Sequence, residues 1–597
     1  MNQNKLQKLE LTWIGKDEDR EAIEPRILIE DPKYSYGDTE SGNMLIHGDN
    51  LLALKALEQN YSNTIKCVYI DPPFNTGQAF ELYEDNIKHS LWLSLMQKRL
   101  IILHKLLCRT GLFWIHLDDM EVHYCKVILD EIFGRENFVS HITYERSAVA
   151  GLGQGGYLVN TTEHILLYKK EILPTAQNYT YFGLEMNIMK RYNRYIADFG
   201  EKKLIREFIS KSNGMPVKVY EHDNINIQSI SLKDYEKRNE EINSIYVQHI
   251  NTIFRGNRVQ KENAFQNDLI QSMNKTKLYS VEYTPSRGKY ENIQTTLYYY
   301  NCELLSWLSD TAEVKEYTVV KSQKMSTLWK HNEIPKADIA NEGGVYFPRG
   351  KKPEQLIKRI LEMSTNEGDI VLDSFLGSGT TAAVAQKMNR RYIGIEFGNQ
   401  AYTHCYSRLR NVTDGKDLTG ISKAQKWRGG SGFKFYELAP SLLKEDKFGN
   451  LVINKEYNAD MLAAAMAKQE GYIYQPDNTL YWKQGQSSEH DYIYTTTQFL
   501  TVESLDAISE TMQEGESLLI CCTAFQKECQ NHASNITVKK IPQMLLGRCE
   551  FNKDDYSLNI IDMPQLDLEE DLEEDFIEEE TMATDKSNKP VEGTLFD

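Results

Sequence analysis

The sequence predicts an α/β fold assembled from two stretches of chain: an open sheet begun early, interrupted by a long insertion, completed later, and followed by a small C-terminal α/β domain. Three observations predict it. Apolar runs ending in acidic or glycine turns, followed by helix-spaced leucines, recur through residues 44–118. The same strand, turn and helix pattern returns at residues 351–396. From about residue 171 to 320 the pattern is absent, and tyrosine, asparagine and lysine are dense. At 597 residues the chain is too long for one core.

The boundaries follow from these changes of character. Residues 1–43 are polar and turn-rich and read as an N-terminal extension. Residues 44–170 form the first part of the sheet domain, 171–330 the insertion, 331–420 its second part, 421–560 a C-terminal domain and 561–597 an acidic tail. Within the first part, residues 44–47 predict a strand entering the Gly48-Asp49 turn, with Leu51, Leu52, Leu54 and Leu57 on one helix face. Asp49 has two readings there, a nucleotide contact and a helix cap.

The stretch IDPPFNTG at residues 70–77 organises the first part. Residues 67–70 predict a buried parallel strand that must stop at Asp71, because two prolines cannot donate ladder hydrogen bonds. Ligands bind at the carboxyl end of such strands. Asp71 can accept a hydrogen bond from an exocyclic amine, the Pro72 carbonyl can accept a second, and Phe74 offers a face for stacking. These are the parts of a pocket for an amino-bearing ring.

A helix is expected over 89–108, closed by Gly111, then a strand over 111–118 and a helix over 120–132. His116, Asp118, Asp119, Glu121 and His123 lack metal-ligand spacing and read as surface and capping groups. Residues 138–145 and 163–169 read as strands joined by a glycine-rich connection at 151–156 that could cover a site. In the insertion, KRYNRY at 190–195 and RGNRVQKENAFQN at 255–267 supply side chains suited to phosphates and base edges. Arg191, Arg194, Arg255, Arg258 and Lys261 are the candidate DNA contacts.

In the second part, 351–361 predicts an amphipathic helix with a proline near its start, and 368–373 a buried strand. Residues 374–381, SFLGSGTT, make a glycine-rich turn into a helix, and Glu396 ends the next strand. Glycines there let a ligand approach the backbone at a helix N-terminus, and an acidic residue about 20 positions on can take ribose hydroxyls. The Walker lysine and the full GxGxxG are both absent, so an adenosyl cofactor without pyrophosphate fits best. Farther on, Gly429, Gly430 and Gly432 predict a flexible joint, 444–454 a hairpin around Gly449, and 517–522 a buried strand holding Cys521 and Cys522 in the core.

Composition narrows the class. The formal charge is −18, with 11 acidic and no basic residues between 562 and 580, which predicts a disordered tail and leaves room for a basic cleft elsewhere. Nine scattered cysteines predict reduced thiols and no zinc site. No signal-peptide pattern and no long apolar run is seen, so a cytoplasmic protein without a membrane segment is expected.

DSFLGSGTT with Glu396 resembles the S-adenosylmethionine site of class I methyltransferases, and DPPF resembles the target-base motif of amino-group DNA methyltransferases. Their order, with the long insertion between, is similar to the β group. IDPPFNTG, WLSLMQKRL, NTTEHILLYKK and the run from KKPEQLIKRIL to GSGTTAAVA are similar to modification (Mod) subunits of type III restriction-modification systems. The resemblance covers most of residues 40–420, and 538–558 resembles their C-terminal domain.

The resemblance implies a Rossmann-like mixed sheet with an inserted target-recognition domain. It implies that Asp71, Pro72 and Phe74 hold a flipped base. It implies cofactor contacts from Asp373, Phe375, Gly377, Gly379 and Thr380, from Glu396 on ribose and from Asp49 on adenine, with Lys352 and Pro353 beside the cofactor. Phe74 stands where the family commonly has tyrosine. The implied function is adenine-N6 methylation of double-stranded DNA, with cytosine-N4 methylation or a catalytically inert recognition subunit as alternatives. The implied partners are a second copy of the chain and a separate restriction subunit carrying helicase and nuclease.

Overall fold

A computed structural model describes residues 10–16, 22–73, 85–146, 160–174, 179–260, 263–286, 291–315, 317–334, 339–347, 350–554 and 556. Its centre is an 11-stranded mixed sheet. The strands are β1 (Leu28–Glu30), β2 (Tyr36–Gly37), β3 (Met44–His47), β4 (Ile65–Ile70), β5 (Leu107–Leu117), β6 (Phe138–Glu145), β7 (Thr162–Lys169), β8 (Leu328–Trp329), β9 (Ile370–Asp373), β10 (Arg391–Glu396) and β11 (Gly432–Leu438). Their order is β1-β11-β3-β10-β9-β4-β5-β7-β6-β8, with β2 paired to β11. From β11 to β5 all neighbours are parallel, whereas β7 runs antiparallel to β5.

Helices cover both faces, as buried parallel strands require. On one side lie α1 (Asn50–Tyr61), α2 (Asp85–Leu106) and α3 (Val122–Phe133), packed through Leu51, Leu54, Met96, Leu103, Ile128 and Leu129 onto Val68, Phe113 and Ile115. On the other lie α4 (Glu354–Ser364), α5 (Thr380–Lys387) and α6 (Ser407–Thr413), packed through Leu356, Ile360, Val384 and Leu409 onto Tyr69, Trp114 and Val371.

Several expectations are corrected. The helix α2 stops at Leu106, and Gly111 lies inside β5. A Cβ at Gly111 would come within 3.0 Å of the Ile65 carbonyl, beside the irregularity where the β4–β5 register shifts between Ile65 and Cys67. The sheet also reaches beyond 44–170 and 331–420, because β1, β2, β8 and β11 belong to it. Gly432 is no loose joint: a Cβ there would meet the Asp38 amide nitrogen at 2.2 Å, so glycine is needed for close strand approach.

The insertion, which showed no periodicity, holds an eight-stranded antiparallel sheet from Arg194–Asp198 to Glu303–Trp307, plus a three-stranded one. The C-terminal domain carries a five-stranded sheet whose last three strands, Asp491–Leu500, Ser517–Phe525 and Ile536–Lys540, are parallel. Cys521 and Cys522 are buried there. Leu443–Glu445 and Leu451–Ile453 form the expected hairpin. Residues 561–597 and the 151–156 connection lie outside the described residues. Among the described residues no helix is long and apolar enough to cross a membrane, and no cluster of His, Cys, Asp or Glu could hold a metal.

Candidate active site

Because β3, β10, β9 and β4 are parallel neighbours, their carboxyl ends form one rim carrying Asp49, Glu396, Asp373 and Asp71. The two motifs, far apart in sequence, thus meet on adjacent strands: Val371 and Leu372 pair with Cys67 and Val68.

On the glycine-turn side, Asp373 is buried and holds the turn closed. Its Oδ1 accepts from the Phe375 amide at 2.9 Å and its Oδ2 from the Thr381 hydroxyl at 2.6 Å. Glu396 accepts from the Gly377 amide at 2.7 Å and the Gly398 amide at 3.1 Å, which ties the turn to β10. Gly377 sits at φ 57° and Gly379 at φ 81°, the left-handed region that a β-carbon disfavours. A Cβ on Gly377 would project into open space, leaving room there for a ligand against the backbone. The Thr380 hydroxyl accepts from Arg408 at 2.7 Å. Burial pushes the Asp373 carboxyl up to about 7, helped by the negative charges of Asp71 and Glu396, and burial also raises Glu396.

Asp49 takes its capping role. Oδ1 accepts from the Leu51 and Leu52 amides at 2.9 and 3.1 Å, while Oδ2 accepts from the Tyr556 amide at 3.1 Å and from Arg99 at 3.5 Å. With both oxygens engaged and the residue 2% exposed, the expected adenine contact has no acceptor to use.

On the DPPF side, the Asp71 side chain is mostly shielded. Its Oδ2 pairs with Lys352 Nζ at 3.0 Å, while the buried Oδ1 has no hydrogen-bond partner among the described residues. Pro72 is buried, and the Trp92 indole donates to the Pro73 carbonyl at 2.9 Å, fixing the turn from α2. Phe74 lies outside the described residues.

Lys352 therefore faces the Asp71 carboxylate, and its ammonium also lies 3.6 Å from Glu163 Oε2. Glu163 in turn pairs with His116 at 2.6 Å, and His116 Nδ1 lies 3.1 Å from the Tyr69 hydroxyl. Pro353 precedes α4 and sets its start. Reading the sequence missed Tyr69 and Glu163 and set His116 aside as a surface or capping group. The period-2 alternation places Tyr69, His116 and Glu163 on one face of β4, β5 and β7, a signal that emerges only once strand order is known. The surface reading of His116 is corrected: it is fully buried.

Of the candidate DNA contacts, Arg194 and Arg255 lie on paired strands of the insertion and cover the rings of Phe254 and Tyr192. Arg191 and Arg258 are exposed. Lys261 lies outside the described residues.

A family model described as DNA methylase matches residues 65–407. The HindVI Mod subunit of Haemophilus influenzae, a probable type III restriction-modification enzyme by its name, is 36% identical over 419 residues, covering 67% of this chain and 54% of that protein. The EcoP15I Mod subunit of Escherichia coli is 23% identical over 518 residues, 76% of this chain and 74% of that protein. The chain spans about half the length of the first curated relatives it matches. Among solved structures, a DNA modification methylase of Thermus thermophilus complexed with S-adenosyl-L-methionine aligns at a TM-score of 0.29 and 14% identity over 66% of this chain and 100% of that one.

Proposed function

The chain belongs to the DNA methylase family, and on that premise we propose that it is a DNA methyltransferase that moves a methyl group from S-adenosylmethionine to the N6 amine of an adenine turned out of the duplex. The observation that carries this reading is Asp71 Oδ1, a buried acceptor without a partner among the described residues, at the rim where the glycine turn leaves space against its backbone.

The residues fit the cofactor. The opening above Gly377, the carboxylate of Glu396 at the next strand end and the buried carboxylate of Asp373 suit a cationic adenosyl ligand without phosphates. When bound, S-adenosylmethionine supplies an activated methyl group, so the protein needs alignment more than an acid and a base. Asp71 Oδ1 would accept one N–H of the target amine and the Pro72 carbonyl another, which turns the nitrogen lone pair outward. A stacked base cannot present its amine to this rim, so it must leave the helix, at a cost of a few kcal/mol.

The insertion is the reading head in this proposal, with Arg191, Arg194, Arg255, Arg258 and Lys261 on phosphates or bases. The names of the Mod relatives support a type III-like restriction-modification system, with a separate restriction subunit and a second copy of this chain as partners. Incubation with labelled S-adenosylmethionine and unmethylated genomic DNA, followed by nucleoside analysis, tests the function. N6-methyladenine is expected. N4-methylcytosine would overturn the base, and DNA binding without label would leave a recognition subunit only.

A further inference from the structure

Behind Asp71 runs a chain of four side chains from three adjacent strands and one loop: Tyr69 on β4, His116 on β5, Glu163 on β7 and Lys352 ahead of α4. The contacts are 3.1 Å from Tyr69 to His116, 2.6 Å from His116 to Glu163, 3.6 Å from Glu163 to Lys352 and 3.0 Å from Lys352 to Asp71. We infer that Glu163 is a positioning residue: it anchors the Lys352 ammonium on Asp71 Oδ2, so that Oδ1 is held toward the target amine. The inference rests on the function proposed above and assigns the part of the site that orients its acceptor.

Geometry and charge support it. Two carboxylates converge on one ammonium, and each side chain is at least four-fifths buried, so the pairs are weakly screened. Burial works against the charge of Lys352, but the Asp71 and Glu163 carboxylates beside it raise its pKa above the ordinary lysine value. Burial would push Glu163 up, yet His116 and Lys352 hold it well below the carboxylate range. The other groups facing Glu163 are Arg146 at 3.8 Å and the Tyr144 ring beside His116. Burial keeps the Tyr69 hydroxyl protonated; it lies 3.1 Å from His116 Nδ1, while His116 Nε2 faces Glu163 Oε2 at 2.6 Å. Around Lys352 the two carboxylates of Asp71 and Glu163 outnumber the one ammonium, which favours a cation approaching the rim.

The test is Glu163→Gln, which keeps size and a hydrogen bond to His116 but removes the charge. Lys352 is followed in the cofactor-free protein by its rate of acetylation with acetic anhydride across pH, read by peptide mass spectrometry. The expected result is titration of Lys352 about one pH unit lower, hence about tenfold faster labelling at a fixed pH below its midpoint. In the methylation assay kcat should fall roughly tenfold with KM for the cofactor held, and the alkaline limb of the kcat profile should move to lower pH. Tyr69→Phe, which removes a single oxygen, should shift both readouts in the same direction by less. Parental labelling of Lys352 in Glu163→Gln overturns the inference. The labelling requires neither cofactor nor DNA, so failure to methylate would sink the proposed function while leaving this result to stand or fall separately.

Discussion

Lys352 Nζ lies 3.0 Å from Asp71 Oδ2, joining the loop after β4 to the segment ahead of α4. The two come from opposite sides of the inserted domain, so folding of the divided sheet is what assembles the acceptor. Lys352 pairs with one carboxylate oxygen, and the other has no hydrogen-bond partner among the described residues.

Asp71→Ala should abolish methyl transfer, by about 10²-fold or more, because the acceptor that polarises the amine is gone. S-adenosylmethionine binding, measured by calorimetry, should change little, since Asp373, Glu396 and the glycine turn remain. Transfer near the parental rate would show that Asp71 does not hold the amine.

The two turn glycines should respond differently to alanine. Gly377→Ala places a methyl in open space at φ 57° and should cost about 1–2 kcal/mol of stability through backbone strain while blocking the cofactor. Gly379→Ala at φ 81° adds a contact of 3.3 Å with the Cys405 Cα, so its stability loss should be larger. Urea unfolding and calorimetry on both variants separate strain from ligand exclusion.

Most of the sheet and the two motifs were legible because buried parallel strands leave apolar runs with abrupt ends, as at Ile70 and Asp373. Strands β6 and β10 end where the sequence places them. What was illegible depended on neighbours. The edge strand β1 and its neighbour β11 are short or follow glycines, and they pair with segments hundreds of positions away. The insertion hides its antiparallel sheet because polar residues such as Lys202 and Glu282 pair across exposed strand faces, which erases apolar alternation. Lys352 looked like a cofactor neighbour and Asp49 had two readings, and only three-dimensional contact assigned them to Asp71 and to the α1 cap.

Asp373 should make stability depend on pH. Its carboxyl is held at about 7 in the fold against an ordinary value of 3.8, so the folded state binds a proton more tightly. The stabilisation from that proton is fully present below about pH 4 and is lost as pH rises through about 7. Glu342, also raised to about 7 by burial and the charge of Glu354, acts in the same window, so a difference measurement is needed. The stability of the parent relative to Asp373→Asn should decline from pH 4 to 8 by a few kcal/mol, on the order set by linkage. A flat difference would mean that Asp373 is ionised throughout. Binding of a cationic cofactor should lower its pKa and release protons near pH 7, seen as buffer-dependent binding enthalpy.

Lys387 bridges Glu354 at 2.8 Å and Asp417 at 2.5 Å, with all three side chains fully buried. Arg408 joins Glu354 at 2.8 Å to the Thr380 hydroxyl at 2.7 Å, so this cluster underlies the glycine turn. Lys387→Met should destabilise the protein by roughly 3–5 kcal/mol, because two carboxylates are left with too little positive charge. A loss below about 1 kcal/mol in urea unfolding would show that the cluster rearranges without cost.

The arginines of the insertion should separate into two kinds by salt dependence. Arg191 and Arg258 are exposed, so if each neutralises one phosphate, Arg191→Gln and Arg258→Gln should each reduce the slope of log K against log salt by about 0.9 and weaken binding evenly across sequences. Arg194 and Arg255 are half-buried over the rings of Phe254 and Tyr192. Their replacement by glutamine removes packing as well as charge, so Arg194→Gln and Arg255→Gln should also lower the Tm. Binding titrations from 50 to 300 mM salt, set beside thermal melts of the same variants, decide the matter. Slopes unchanged in all four variants would place the DNA on another face of the insertion.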